Sequence, residues 1–247
     1  CLSRGLGDVY KRQGLGSTTQ ICLAYSLALA YFNKEKFDAY SASKFFNIGK
    51  ISGIGIGAFI YGGFLIDEGK KGEEIPRIVF RYEIPKDWIF LVVRDKTQSK
   101  GLSDKEEYEI IKKLPPTESA RIENMQNLVS IMKDSIKEGN IEKFGSALTE
   151  LQINVGKSFY SYQKGIFTHS NNEKIVNFML KHGAYGAGQS SWGPTVYGLF
   201  DERNIYKILE RIKGSFGETI FLYITNANNY GVEIENDNNV RRMVENL

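Results

Sequence analysis

The chain has 247 residues, of which 42% are hydrophobic and 25% charged, with a formal net charge of +3. This composition is typical of one or two globular domains. So small a positive charge is too weak to suggest binding of nucleic acid, and no nucleic-acid partner is expected, although the charge suits an anionic small substrate. The two cysteines provide neither a disulfide framework nor zinc-site spacing, so the expected location is the reducing cytoplasm. The apolar run at residues 21–32 is too short to span a bilayer, and no membrane partner is expected.

Residues 1–13 differ in character from the rest of the chain. They begin with Cys1 and end in Gly-Asp-Val-Tyr-Lys-Arg-Gln, which looks like translated sequencing-adapter DNA. The segment has no apolar period and no signal-peptide layout. We therefore expect it to be foreign, with Leu2, Leu6 and Val9 outside any shared core, and we expect the protein's own N-terminal strands to be missing.

A glycine-rich loop then leads directly into an apolar helix. Gly14 and Gly16 permit a tight, open backbone, and Ser17 is a good N-cap for the run behind it. The first-turn N–H groups, at about Thr18 and Thr19, and the positive end of the helix dipole suit a phosphate. The helix is apolar on nearly every face, which predicts a buried central helix. An ordinary capped core helix would show the same pattern, so this stretch alone leaves both interpretations open.

The following elements predict an α+β fold in which helices back an open antiparallel sheet. Residues 49–67 alternate small and apolar side chains, which predicts a strand pair turning at Gly62-Gly63, with one face open to a backbone or a ligand. The other predicted elements are a helix at 35–47, strands at 77–83 and 88–94, helices at 105–114, 122–136, 141–159 and 173–181, a strand at 195–200, a helix at 201–213 and a strand at 219–225. We expect the helices at 122–136 and 141–159 to form an antiparallel pair, because Gly139-Asn140 turns the chain between them.

A second glycine-rich stretch follows the helix at 173–181. Gly186 and Gly188 precede Ser190 and Ser191, and we expect a loop whose backbone amides surround an anion. A lone Gly-x-Gly pattern is weak by itself. Because a phosphorylated sugar carries anionic groups at both ends, we expect this loop and the Gly14 loop to face one cleft.

Three stretches together resemble the GHMP kinase superfamily. Residues 14–19 resemble its phosphate loop, and residues 186–191 lie where it has a C-terminal glycine-rich motif. Residues 52–63 align without a gap with the segment that carries the catalytic aspartate of mevalonate-type kinases, and Gly55 occupies the aspartate position. Glycine can neither accept a proton nor bind a metal through a side chain, so phosphorylation of an alcohol by the usual route is not expected.

One branch of the superfamily departs in this way. The patterns at residues 14–20, 49–55 and 189–197 resemble the β-ribofuranosylaminobenzene 5′-phosphate synthases, and the similarity covers about all of residues 14–200. It implies that phosphoribosyl pyrophosphate is joined to 4-hydroxy- or 4-aminobenzoate, with loss of CO2 and pyrophosphate, in methanopterin biosynthesis. The chain departs from the family at Asn47-Ile48-Gly49, where Gly-Arg-Gly is common.

The resemblance also implies a GHMP kinase-like two-domain fold. Residues 14–100 would form part of a ribosomal-protein-like α+β domain, and residues 101–247 a ferredoxin-like α+β domain. The expected partners are a phosphosugar and an aromatic acid, with Mg2+ as cofactor, and a homodimer is left open. The expected phosphate- and substrate-binding residues are Gly14, Gly16, Ser17, Thr18, Thr19, Lys50, Ser52, Gly186, Gly188, Gln189, Ser190 and Ser191.

No catalytic residue or metal ligand is identified from the sequence. Lys50 is the better cationic candidate and Arg121 the weaker one, while His169, His182 and Cys22 suit structural positions. Two alternatives stay open. One is a small-molecule kinase with a displaced base, for which ATP would be the cofactor, and the other is an inactive fragment of the fold.

Overall fold

A computed structural model describes residues 14–98, 101–102, 104–236 and 239–242. The expected foreign segment, residues 1–13, lies outside them. No described helix is both long and apolar enough to cross a membrane. The elements in chain order are α1 (Ser17–Asn33), α2 (Ala39–Phe46), α3 (Ile54–Tyr61), β1 (Phe64–Asp67), β2 (Ile78–Tyr82), β3 (Trp88–Asp95), α4 (Asp104–Lys113), α5 (Ser119–Lys137), α6 (Ile141–Ser158), α7 (Tyr160–Gln163), α8 (Ser170–Lys181), β4 (Gly186–Gln189), β5 (Thr195–Asp201), α9 (Glu202–Phe216), β6 (Ile220–Asn226), β7 (Glu233–Asn236) and β8 (Asn239–Arg242).

The chain divides into two compact units. Among the described residues, unit 1 contains Gly16–Ile84 and those from Ala227 onward, and unit 2 contains Gly14, Leu15 and Pro85–Asn226. The division therefore falls before β3, whereas the sequence placed a domain boundary after residue 100. The reason is that β3 is an inner strand of the unit 2 sheet, where it pairs with both β5 and β6.

In its described part, unit 1 combines three helices with two small antiparallel strand pairs. β1 pairs with β2, and β7 pairs with β8. The helices α1, α2 and α3 enclose a small apolar core. Its buried members are Leu23, Leu27, Ala39, Ile48, Ile56, Phe59, Ile60 and Ile75.

The strand pair expected at residues 49–67 is wrong, because the part before Gly62-Gly63 contains helix α3 and the strand after it, β1, pairs with β2 instead. Ile56, Phe59 and Ile60 recur at helical spacing and are buried. A Cβ on Gly57 would lie 2.5 Å from Ile78 Cδ1, so glycine lets the helix lie close to β2. The alternation of small and apolar residues was thus a product of helix packing and not of a strand's two faces.

Helix α1 is also less buried than its composition predicted. Leu23 and Leu27 are buried, but Ile21, Tyr25 and Phe32 are 61%, 59% and 80% exposed. The N-cap position is held by Gly16, with a φ of 64°, and Ser17 is the first helical residue. The expected Ser17 cap and the central position of this helix are therefore wrong.

Unit 2 is the expected antiparallel sheet backed by helices, which confirms that prediction. Its four strands lie in the order β4-β5-β3-β6. Helices α8 and α9 cover the sheet and supply most of a large apolar core with it, while α5 and α6 form the predicted antiparallel pair. Helix α6 packs against β4, and this contact positions the second glycine-rich motif.

Candidate functional site

In unit 1, the first turn of α1 lies against the start of α3. Gln20 Nε2 donates a hydrogen bond to the Gly55 carbonyl at 2.8 Å. A Cβ on Gly55 would lie 3.3 Å from Thr19 Cγ2. The position at which mevalonate-type kinases carry their base therefore lies beside the predicted phosphate loop, and here it offers only backbone.

The geometry of this first turn is that of a helix start whose N–H groups can face a ligand. The first hydrogen bond of the helix runs from the Gln20 N–H to the Gly16 carbonyl at 3.1 Å, so the N–H groups of Ser17, Thr18 and Thr19 precede it. Thr18 is exposed and Thr19 is half-buried. Phosphate binding at these residues stays a prediction.

Ser52 lies in a hydrogen-bonded turn at the start of α3. Its Oγ donates to Asp67 Oδ2 at 2.7 Å and accepts from the Ile54 N–H at 3.2 Å. The Gly53 N–H donates to the same Asp67 oxygen at 2.9 Å. Asp67 thus holds the entry into α3, a role that sequence reasoning missed because nothing marks a lone aspartate at a strand end.

The two cationic candidates lie in different units. Lys50 is half-buried in the turn that precedes α3 in unit 1. In unit 2, Arg121 lies near the start of α5 and forms an ion pair with Glu118, with Nη2 and Oε2 3.7 Å apart. Arg121 thus already has a carboxylate partner, and anion binding by Lys50 stays a prediction.

In unit 2, the second glycine-rich stretch is strand β4 and not the expected loop. All four of its residues are buried, and the strand pairs antiparallel with β5. The Ala187 N–H donates to Thr149 Oγ1 at 2.9 Å, and the Gln189 N–H donates to Gln152 Oε1 at 3.1 Å. The expected cradle of anion-binding amides is therefore wrong over the strand, because these donors already have partners.

The glycines of β4 serve packing. A Cβ on Gly186 would lie 2.3 Å from the Gly145 carbonyl oxygen, and one on Gly188 would lie 2.4 Å from Gln152 Cγ. Because these glycines have no side chains, α6 can lie directly on the strand. The sequence showed that small residues were needed here, but close helix packing and close ligand approach need the same residue type.

The Gln189 side chain is a buried hydrogen-bonding hub. Its Oε1 accepts from the Thr168 N–H at 2.8 Å and from Asn172 Nδ2 at 3.1 Å. Its Nε2 donates to Thr168 Oγ1 at 2.8 Å and to the Ser191 carbonyl at 3.0 Å. The full hydrogen-bonding capacity of the amide is thus used within unit 2, so Gln189 positions the turn after β4.

Ser190 connects that turn with Gly14, which also belongs to unit 2. Ser190 Oγ donates to the Gly14 carbonyl at 2.6 Å. A Cβ on Gly14, whose φ is 77°, would lie 2.3 Å from the Ser190 carbonyl oxygen. The first residue of one predicted anion-binding motif therefore contacts the other motif directly. That the two serve one substrate stays a prediction.

The remaining polar candidates occupy structural positions. His169 holds the N-cap position of α8, and His182 Nδ1 lies 2.8 Å from the Phe178 carbonyl oxygen at the other end of that helix. Cys22 is partly buried against the core of unit 1. These placements fit the structural interpretations given from the sequence.

The described residues do not provide a dedicated cage for Mg2+. Within the described ranges, no group of three or more His, Cys, Asp or Glu side chains could hold a metal ion. Mg2+ in phosphate-transfer sites often takes one or two carboxylates together with substrate phosphates. The Asp67 carboxylate already accepts from Ser52 Oγ and from the Gly53 N–H.

Comparison with solved structures confirms the GHMP kinase-like fold. Homoserine kinase from Cytophaga hutchinsonii matches with a TM-score of 0.66 and 16% identity, over 90% of this chain and 68% of that one. L. major mevalonate kinase, solved in complex with R-mevalonate, matches with a TM-score of 0.62 and 17% identity, over 85% and 65% of the two chains. At these identities the likeness shows the fold alone.

Comparison with sequence relatives identifies the family more specifically than the fold does. The family model for the C-terminal part of GHMP kinases matches residues 132–218. The Beta-ribofuranosylphenol 5'-phosphate synthase of Methanothermobacter thermautotrophicus is 30% identical in an alignment of 204 residues that covers 77% of this chain and 60% of that protein. The synthase of the same name from Methanocaldococcus jannaschii is 33% identical in an alignment of 240 residues that covers 90% of this chain and 70% of that protein. The chain thus spans 60% to 70% of these relatives, and it belongs to the beta-ribofuranosylphenol 5'-phosphate synthase family of enzymes.

Proposed function

We propose that the protein is a pentosyltransferase of tetrahydromethanopterin biosynthesis. In this proposal it joins phosphoribosyl pyrophosphate to 4-hydroxy- or 4-aminobenzoate and releases CO2 and pyrophosphate. Family membership supports the reaction class. The relatives' name denotes a ribofuranosyl phenol product, which favours the hydroxybenzoate of the two acceptors.

The observation that carries the proposal is Gly55 beside Thr19. In a kinase of this fold, a carboxylate at that position would assist the attacking hydroxyl, and general-base assistance accelerates a reaction by roughly a hundred- to ten-thousand-fold. Here the position is a glycine, and a Cβ added to it would lie in tight contact with the Thr19 methyl group, at 3.3 Å. A reaction that needs no base at this point fits the chain better than alcohol phosphorylation.

The proposed reaction meets that condition. The bond from ribose C1 to the pyrophosphate oxygen breaks, which leaves an oxocarbenium-like centre, and the ring carbon that bears the carboxylate forms the new bond to C1. The electron pair of the bond to the carboxylate then returns to the ring as CO2 departs. Because CO2 leaves in place of a proton, no general base has to deprotonate that carbon.

What the chain must supply is orientation and binding of anions. The predicted binders are the N–H groups of Ser17, Thr18 and Thr19, together with Lys50. Ser190 would act by holding Gly14 at the entrance to the phosphate loop. Mg2+ remains an expected companion of the pyrophosphate group.

The direct test is release of labelled CO2 from carboxyl-labelled 4-hydroxybenzoate in the presence of phosphoribosyl pyrophosphate and Mg2+. We expect release without any need for Gly55→Asp. Replacement of both Ser190 and Ser191 by leucine should abolish release, whereas Ser215→Leu, an exposed position on α9, should preserve it. The M. jannaschii synthase serves as the positive control for the assay.

The same assay separates the two alternatives. Consumption of ATP with an alcohol, without labelled CO2, would replace the proposal with the small-molecule kinase. Binding of phosphoribosyl pyrophosphate without turnover by the folded chain would indicate the inactive fragment.

A further inference from the structure

Unit 2 contains a cavity of about 170 Å³ beside the turn that follows β4. The cavity is lined by a face of α6, by the turn after β4, by the segment after α7 and by α4. The side chains that matter for its chemistry are Gln152, Val155, Phe159, Phe167, Trp192 and Glu107. All of these belong to unit 2, and none was predicted from the sequence to be a site residue.

The size of the cavity suits a single substituted benzene ring. An engineered apolar cavity of about 150 Å³ in another protein binds benzene. A phosphoribosyl pyrophosphate molecule, with its sugar and three phosphate groups, is far larger than this space. Of the two substrates in the proposed reaction, the aromatic acceptor is therefore the one whose size matches.

The apolar lining also suits a ring. Phe159 and Trp192 meet edge to face, with centroids 4.6 Å apart and planes at 65°. Trp192 and Phe167 are only 8% and 6% exposed. Aromatic rings favour such edge-to-face and offset contacts, so a third ring can extend the arrangement.

Two polar side chains of the lining, Gln152 and Glu107, can hydrogen-bond the polar groups of a para-substituted benzoate. The main-chain N–H of Gln189 can only donate, so its 3.1 Å bond to Gln152 fixes the carboxamide oxygen there and leaves the Gln152 NH2 group as the end that donates to a ligand. A carboxylate accepts such a bond. Glu107 lines the same cavity, and its carboxylate can accept from a phenol hydroxyl or an aromatic amine.

We infer that this cavity binds the aromatic acid, with the ring against Phe159 and Trp192 and the carboxylate at Gln152. The inference rests on the proposed function, which supplies the class of ligand. It also gives Gly188 a role, because only a glycine there leaves room for the Gln152 side chain.

Binding of 4-hydroxybenzoate and of 4-aminobenzoate to the 247-residue chain, measured by calorimetry, tests the inference without any need for turnover. Val155→Phe places a ring in the cavity and should weaken binding by about tenfold or more. Ile131→Phe makes a similar change at a half-exposed position on α5, outside the cavity, and should leave binding within about twofold. Equal unfolding midpoints would show that the variants fold.

Gln152→Leu supplies a second readout. It should weaken binding of the two benzoates and leave binding of phenol, which has no carboxylate, nearly unchanged. Unchanged benzoate affinity in both Val155→Phe and Gln152→Leu, or no binding of either benzoate to the wild-type chain, would overturn the inference.

These outcomes are separable from failure of the proposed function. If labelled CO2 is released equally well by wild type and Val155→Phe with the same KM for the benzoate, the reaction stands and the cavity is not its acceptor site. If benzoate binding depends on Val155 and Gln152 but no CO2 is released, the cavity binds the aromatic acid and the proposed reaction fails.

Discussion

Asp201 shows how one carboxylate can connect several parts of unit 2. Its Oδ1 accepts from the Asn204 N–H at 2.9 Å as the N-cap of α9, and its Oδ2 accepts from the Tyr185 hydroxyl at 3.0 Å and from Arg203 Nη2 at 2.8 Å. Burial by itself would raise the pKa of Asp201. The hydrogen bonds from Arg203, Tyr185 and Asn204 outweigh burial, so the pKa lies below its ordinary value.

This lowered pKa predicts a contribution to stability that depends on pH. The charged form is favoured in the folded state, so the contribution is fully present above the unfolded carboxyl pKa of about 3.9 and is lost as pH falls through the folded value. We expect Asp201→Asn to lower the free energy of unfolding at pH 7 by about 1 kcal/mol. The difference from wild type should shrink below about pH 4.

Urea unfolding between pH 7 and pH 3 measures this difference. Asp201→Ala removes the helix cap as well as the charge and should lose about 1 kcal/mol more across the range. A difference between Asp201→Asn and wild type that stays constant with pH would contradict the role of the charge.

At the scale of elements, α6 both packs on β4 and completes its hydrogen bonding. β4 is one of the two edge strands described for the sheet, and the helix supplies Thr149 and Gln152 as acceptors for its outward N–H groups. Exposed strand edges are prone to unwanted pairing, and this helix covers one. The close approach requires Gly145, where a Cβ would lie 2.3 Å from the Tyr185 carbonyl carbon.

Gly145→Ala should therefore destabilise the protein by about 1–3 kcal/mol, because backbone atoms must move to admit the methyl group. Gly214→Ala is the matched control, since it lies in helix α9 and a Cβ there would meet nothing within 4 Å. That change should stabilise by about 0.4–1 kcal/mol through the lower entropy of the unfolded chain. Chemical denaturation measures both, and equal effects would contradict the packing argument.

At the scale of the whole molecule, each unit has a core of its own. Leu23 is fully buried in the core of unit 1, and Met179 is fully buried in that of unit 2. Neither cluster includes a residue of the other unit among the residues described. Proteins often open in cooperative parts that correspond to such clusters.

Leu23→Ala and Met179→Ala test whether these cores open separately. Each removes a buried side chain and should reduce stability by about 2–5 kcal/mol. We expect hydrogen exchange to accelerate first among amides of unit 1 after Leu23→Ala, and first among amides of unit 2 after Met179→Ala. Uniform acceleration in both units after either change would instead indicate one cooperative fold.

Much of unit 2 could be predicted because its segments have strong local signals. The helix pair α5 and α6 was readable from apolar residues at helical spacing around the turn at Gly139-Asn140, where Asn140 Oδ1 accepts from the Lys143 N–H at 3.0 Å. The order β5, α9, β6 was also predicted from the sequence, as a strand, a helix and a strand. The candidate site was harder to predict. Gln189 was recognised as part of a motif, but three of its four side-chain hydrogen bonds go to Thr168 and Asn172, which are distant in sequence.

The sequence by itself determined the family and, apart from β4, most of the helix and strand order of unit 2. Its resemblance to the kinases also implied the loss of their base at Gly55. These depend on residue identity and on local periodicity, which a single chain displays directly. Only the tertiary structure decided that residues 54–61 are helix α3, that Gly186–Gln189 is a buried strand, and that Val155 and Trp192 line one cavity. The physical reason is that glycine, without a Cβ, has little local preference among helix, strand and loop. In such stretches the distant partner that packs against the backbone selects the conformation.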